Sequence, residues 1–151
     1  MSAWAKTAFL ALVTSLTLCS CNQNEVDGIR IGHTLVESQS LSENRELRQL
    51  IRKTLNKDEK ALAELCKFRC GGAAGCYDLG FVVTQIIYRM GEVEFSALAG
   101  KLTKEETWRA ADLIGVGLEY GDNDRNGVSD DKKIETEFPR LHELIKASKR
   151  T

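Results

Sequence analysis

Apolar positions recur at three- and four-residue steps from residue 47 almost to the end of the chain. Leu47, Leu50, Ile51 and Leu55 make one stripe, Leu62, Leu65 and Cys66 a second, and Leu79, Val82, Val83, Ile86 and Met90 a third. Phe95, Leu98 and Leu102 follow, then Trp108, Ala111, Ile114 and Leu118, then Phe138, Leu141, Leu144 and Ile145. Such spacing puts each set on one face of a helix. Ser40 with Glu43, Asn56 with Glu59 and Thr103 with Glu106 have the spacing of capping boxes or their close relatives, each with a carboxylate in the first turn, near the positive helix end. Gly71-Gly72, Gly91 and Gly121 supply the breaks. Gly115 and Gly117 fall inside the fifth stripe, where each costs up to about 1 kcal/mol relative to Ala, and they predict close packing between helices. The fold class expected is all-α, a small helical bundle or short helical array of about six helices over residues 42–151.

Ahead of that domain, residues 22 to about 42 are polar and show no sustained period. With Gly28 and Gly32 they read as a flexible tether, in which Ile29, Ile31, Leu35 and Val36 have the character of a short strand or a docking segment.

The chain has 151 residues, 42% apolar and 28% charged, room for about one globular domain and unlike a disordered or collagenous chain. Twenty-one basic residues stand against 22 acidic ones, a net charge of −1. No global positive field exists to hold nucleic acid, so no nucleic-acid partner is expected.

Residues 1–20 have the parts of an export signal. Lys6 and the amino terminus are positive, and Ala8 to Leu18 carry no charge. Eleven helical residues reach about 17 Å, short of a hydrocarbon core of about 30 Å, so the segment reads as a signal peptide and not as a membrane-spanning helix. Leu18-Cys19-Ser20-Cys21 then resembles the lipobox of bacterial lipoproteins, with Leu three residues before the acceptor and a small residue just before it. Cys19 at the middle position departs from the usual Ala, Ser or Thr. The resemblance implies cleavage before Cys21, diacylation of its sulfur and acylation of its new amino group. Three acyl chains exceed the two signals that stable anchoring needs. Asn22 after the acceptor implies sorting to the outer membrane. The implied domain plan is a signal peptide at 1–20, a lipidated N-terminus and tether at 21–41 and a periplasmic helical domain at 42–151, with the bacterial membrane as one partner.

Cys66, Cys70 and Cys76 fall within eleven residues, and behind an export signal a disulfide is the default. With Cys21 lipidated the count is odd, so one bridge and one spare thiol follow. A hairpin with its apex at Gly71-Gly72 sets Cys66 against Cys76 as the best-fitting pair and Cys70 with Cys76 as the next. The spare thiol is also placed for an intermolecular bridge. Zinc lacks a fourth ligand near in sequence, and a redox site lacks the C-x-x-C spacing.

Asp122-Asn123-Asp124-Arg125-Asn126-Gly127-Val128-Ser129-Asp130 is the most specific internal motif. Oxygen side chains at the first, third and fifth positions with Gly at the sixth are what a calcium loop requires. The string resembles the front half of EF-hand loops and, more closely, thrombospondin type 3 calcium repeats. That resemblance implies Asp122, Asp124, Asn126 and Asp130 as side-chain or water-mediated ligands and a carbonyl from Val128. Lys133 stands where a bidentate carboxylate belongs, and the motif occurs once, so calcium binding is expected to be weak.

His33 and His142 do not make a Ser-His-Asp set and read as solvent-facing. No phosphate-binding glycine loop is present. Two functional classes remain. One is a lipid-anchored, non-catalytic module that binds an envelope protein, as an inhibitor, an immunity-type factor or an assembly accessory. The other is a small envelope enzyme acting on peptidoglycan, with carboxylates such as Asp78 or Glu119 as acid and base. A purely structural outer-membrane lipoprotein is a variant of the first. The first is the expectation, because no catalytic constellation appears.

Overall fold

A computed structural model describes residues 24–150. The leader and the lipid acceptor Cys21 lie outside the described residues. The fold is all-α apart from a two-stranded antiparallel hairpin, β1 (Glu25–Val26) and β2 (Ile29–Arg30). Eight helices follow among the described residues: α1 (His33–Glu37), α2 (Leu41–Leu55), α3 (Glu59–Lys67), α4 (Ala73–Met90), α5 (Glu92–Ala99), α6 (Lys104–Tyr120), α7 (Ile134–Glu137) and α8 (Pro139–Arg150). The six predicted helices correspond to α2 to α6 and α8, and the short α1 and α7 are additional. None of the described helices is long and apolar enough to cross a membrane.

The expected tether is corrected from residue 24 onward. Asp27 and Gly28 both take positive φ, 50° and 85°, which makes the two-residue turn whose twist matches that of the strands it joins. The turn presents Val26 and Ile29 inward, and with Ile31 and Leu35 they are buried in the same core as the helices. Gln85 on α4 pairs with the backbone of Arg30 in both directions, accepting from its N–H at 2.9 Å and donating to its C=O at 2.9 Å. Asp78 accepts the N–H of Leu35 at 2.9 Å. Four apolar side chains and these bonds draw the segment onto the domain, whose boundary therefore lies before residue 25 and not at 42.

Two of the expected caps form. Ser40 accepts the Glu43 N–H while Glu43 accepts the Ser40 N–H, and Thr103 and Glu106 do the same. The third differs: Asn56 closes α2, Lys57 turns the chain at φ 65°, and Asp58 caps α3 by accepting from Lys60 and Ala61. A tight left-handed link moves the start by two residues. The long helices α4 and α6 pack most extensively on each other. Around them the core takes Leu47 and Ile51 from α2, Leu62 and Leu65 from α3, Phe95 and Leu98 from α5, and Leu141 and Ile145 from α8.

The bridge joins Cys70 to Cys76, with Cα atoms 4.9 Å apart, and Cys66 is a buried free thiol. The preferred Cys66–Cys76 pairing is thereby corrected. It assumed a symmetrical hairpin, but α4 begins at Ala73, so Cys76 sits in the first turn of a helix. Gly71 at φ 76° and Gly72 at φ 148° fold Cys70 back over that turn, so closely that a Cβ on Gly75 would overlap the Cys70 carbonyl. Cys66 instead lies on the buried face of α3 with Leu62 and Leu65.

Candidate cation-binding loop

The loop between α6 and α7 is tied down at its base before it does anything else. After the turn, Asp130, Asp131 and Lys132 donate their N–H groups to the carbonyls of Gly121, Glu119 and Leu118, so the chain runs back along the end of α6. Asn123 is the plug: its amide donates to the Gly117 carbonyl at 3.0 Å, its carbonyl accepts from Thr84 Oγ1 at 2.9 Å, and its N–H donates to Asp130 Oδ2 at 3.1 Å. Arg30 from the hairpin donates to the Asp122 carbonyl at 2.5 Å. Its guanidinium lies 5.1 Å from the Phe81 ring centre.

Within this frame the motif residues make a ladder. Gly127 N–H donates to Asp122 Oδ1, Asn126 N–H to Asp124 Oδ1 and Val128 N–H to Asn126 Oδ1, at 3.3, 3.1 and 2.8 Å. Each bond turns a side chain toward the loop interior. Arg125 and Gly127 supply the positive φ, 63° and 86°, that the tight path requires. Ligand oxygens of Asp122, Asp124 and Asp130 all lie within 4.8 Å of one another.

Asp130 is the informative member. Its side chain is 1% exposed, and its Oδ1 is buried without a hydrogen-bond partner. Lys132 Nζ stands 3.5 Å from its other oxygen, and Arg30 Nη1 stands 3.7 Å from Asp122 Oδ2. Two partial counter-charges face three clustered carboxylates, and a buried carboxylate oxygen without a partner is costly unless a cation meets it. Hard oxygens in a loop of this size suit calcium.

All five expected loop residues fall in this one turn. Asp122, Asp124 and Asp130 are brought together, whereas Asn126 Oδ1 is engaged by Val128 N–H and its amide donates to Asp124 Oδ2 at 2.8 Å. Lys133 only precedes α7 and brings no oxygen to the loop. Asn123, Thr84 and Arg30, which hold the loop in place, were missed from sequence. Asn123 is a second-position polar residue with no pattern of its own, and the other two are distant in the chain.

The other candidate residues are dispersed. Asp78 receives the first turn of α1, and a Cβ on Gly32 would overlap its carboxylate. Glu119 is exposed at the end of α6. His33 is exposed beside Glu37, at 3.2 Å, and His142 is partly buried on α8. On another face, Tyr77 and Tyr120 stack at 4.7 Å and remain about half exposed. Tyr77 also lines a hollow of about 320 Å³, together with Phe68, Leu79, Leu113, Val116 and the Cys70–Cys76 bridge. Comparison of the chain with protein-family models, with curated proteins and with solved structures finds no match.

Proposed function

We propose that this chain is a bacterial envelope lipoprotein, anchored through Cys21 to the outer membrane and facing the periplasm, whose helical domain binds another envelope protein without catalysing a reaction. We propose further that the loop from Asp122 to Asp130 holds a calcium ion. The observation that carries the metal reading is the unpartnered Oδ1 of Asp130, sealed from solvent within reach of Asp122 and Asp124. The anchor rests on the residues Leu18 to Cys21 alone. What supports a binding module over a hydrolase is the state of Asp78, whose carboxylate is engaged in holding α1. The stacked tyrosines beside an apolar hollow supply the kind of surface that protein partners use.

Thermal unfolding of the purified protein with calcium and then with chelator tests the metal. At tenfold over Kd the expected stabilisation is about 1.4 kcal/mol, or a rise in Tm of about 5 °C, and Asp130→Asn removes it. An unchanged Tm at millimolar calcium overturns the site. Membrane fractionation of Cys21→Ser tests the anchor: the variant is expected in the soluble fraction, and a pelleting variant refutes lipidation. Cross-linking in intact envelopes tests the module. A stoichiometric partner lost in Tyr77→Ala supports it, and murein turnover by the isolated protein contradicts it.

A further inference from the structure

The hairpin is the part of the folded body nearest in sequence to Cys21. Asn24, the first described residue, follows the acceptor by three positions, so their Cα atoms are at most about 11 Å apart. A body of this length is about 35 Å across. An anchor on so short a lead cannot reach the far side, and the hairpin end of the domain must lie toward the bilayer.

That end is ringed with arginines drawn from three separate parts of the chain. Arg48 and Arg52, one helical turn apart on α2, reach the Glu25 carbonyl at 3.5 Å and the Asp27 carboxylate at 3.7 Å. Arg125, in the acidic loop, reaches the Gly28 carbonyl at 3.5 Å. Arg89 on α4 lines the hollow beside Gly28 and Arg125 and also the one beside Asp27 and Arg52, and it makes no ion pair with the described residues. Glu25 and Asp27 are the acidic side chains of the hairpin itself. Arg30 and Asp122 offset each other, as do Lys57 and Glu94 at 2.6 Å. Asp124, beside Arg125, is exposed as well. Four guanidiniums, Arg48 half-buried and the other three exposed, therefore stand against the three exposed carboxylates of Glu25, Asp27 and Asp124 just where the chain leaves for its anchor.

We infer that this arginine-ringed hairpin face lies against the phosphate headgroups of anionic phospholipids and fixes the orientation of the domain on the membrane. The inference rests on the lipid-anchor reading. Guanidinium groups pair bidentately with phosphate oxygens, and an anionic leaflet attracts basic side chains within a Debye length of its surface. The acyl chains hold the protein at the bilayer, and the arginines decide which face meets it.

Arginine labelling tests this on the mature protein reconstituted into nanodiscs of phosphatidylglycerol with phosphatidylcholine, or of phosphatidylcholine alone. The mass of the N-terminal peptide is read first. A bare Cys21 there defeats the anchor, and with it the premise, before any labelling is done. With acylation established, phenylglyoxal modification of Arg48, Arg52, Arg89 and Arg125 is expected to slow several-fold in the anionic discs and to recover at high salt. Arg109 and Arg140, which touch no hairpin residue, are expected to react equally in both. Equal labelling of the hairpin set in the two lipids overturns the inference. So does protection that persists in the uncharged discs at high salt, which would point to a protein cover in place of lipid.

Discussion

Gly80 on α4 and Gly117 on α6 meet backbone to backbone where the two longest helices cross. A Cβ on Gly117 would overlap the Gly80 carbonyl, and one on Gly80 would overlap the Leu113 carbonyl. Both glycines are buried, and the same crossing lets Asn123 reach the Gly117 carbonyl and plug the acidic loop. This close crossing of α4 and α6 is therefore also the foundation of the candidate cation site.

Gly117→Ala is expected to destabilise the fold by about 3 kcal/mol, the upper end of overpacking costs, because backbone and not a flexible side chain must give way. Gly115→Ala is the control. Nothing lies within 4 Å of its added Cβ, so it is expected to gain about 0.5–1 kcal/mol of helix propensity. Urea midpoints of the two variants check this, and equal shifts would contradict the packing role.

Glu106 sets an acid limit on stability. The Lys67 ammonium at 2.7 Å, then the backbone and hydroxyl of Thr103, hold its carboxyl well below 4.5, down to about 2. A carboxylate lowered on folding contributes stability fully above its unfolded value, and the contribution is lost as pH falls from about 4.5 toward 2. Glu106→Gln is expected to flatten the stability profile in that window and to lower stability at pH 7. Lys67 is raised by the same pair, so its share holds below 10.5 and fades above it. Denaturation midpoints at pH 6 and pH 3 for both proteins give the comparison.

Cys66 is expected to resist thiol reagents in the folded protein. Burial first, and the Glu106 charge second, push its thiol up to about 12, so almost no thiolate forms at pH 8. Non-reducing peptide mapping should find Cys70 linked to Cys76, with one thiol that reacts only after unfolding. Replacing Cys70 and Cys76 by Ser is expected to cost about 2 kcal/mol for so short a loop. Rapid labelling of native Cys66 would contradict its placement.

Trp108 is expected to contribute little to the core. It is 46% exposed, with Lys104 Nζ 5.9 Å from its ring centre, so Trp108→Ala should cost no more than about 1 kcal/mol. Phe95 is fully buried, and Phe95→Ala should cost about 3–5 kcal/mol. Calorimetry of the two variants separates them.

Trp108 also shows where pattern reading erred. The sequence aligned it with Ile114 and Leu118, yet the buried face of α6 runs through Thr107, Ala110, Ile114 and Leu118. Thr107 goes inside because its hydroxyl donates to the Thr103 carbonyl at 2.9 Å, which removes the cost of burying it. A polar residue satisfied by its own helix is invisible to a count of apolar positions. The hairpin was legible and was passed over, since Asp27-Gly28 between Val26 and Ile29 is a strong turn signal.

Periodicity and capping determined the helical class, the long helices and two of their starts, because those depend on residues within one or two turns of each other. The acidic motif was equally local, and its ladder of bonds to neighbouring N–H groups formed where the spacing placed it. Only the tertiary structure decided that residues 25–35 belong to the domain and that Cys70 and not Cys66 takes Cys76. It alone brought Arg30, Thr84 and Asn123 around the acidic loop and sealed Asp130 from water. Those outcomes turn on contacts between segments tens of residues apart, where burial and charge are set by which surfaces meet.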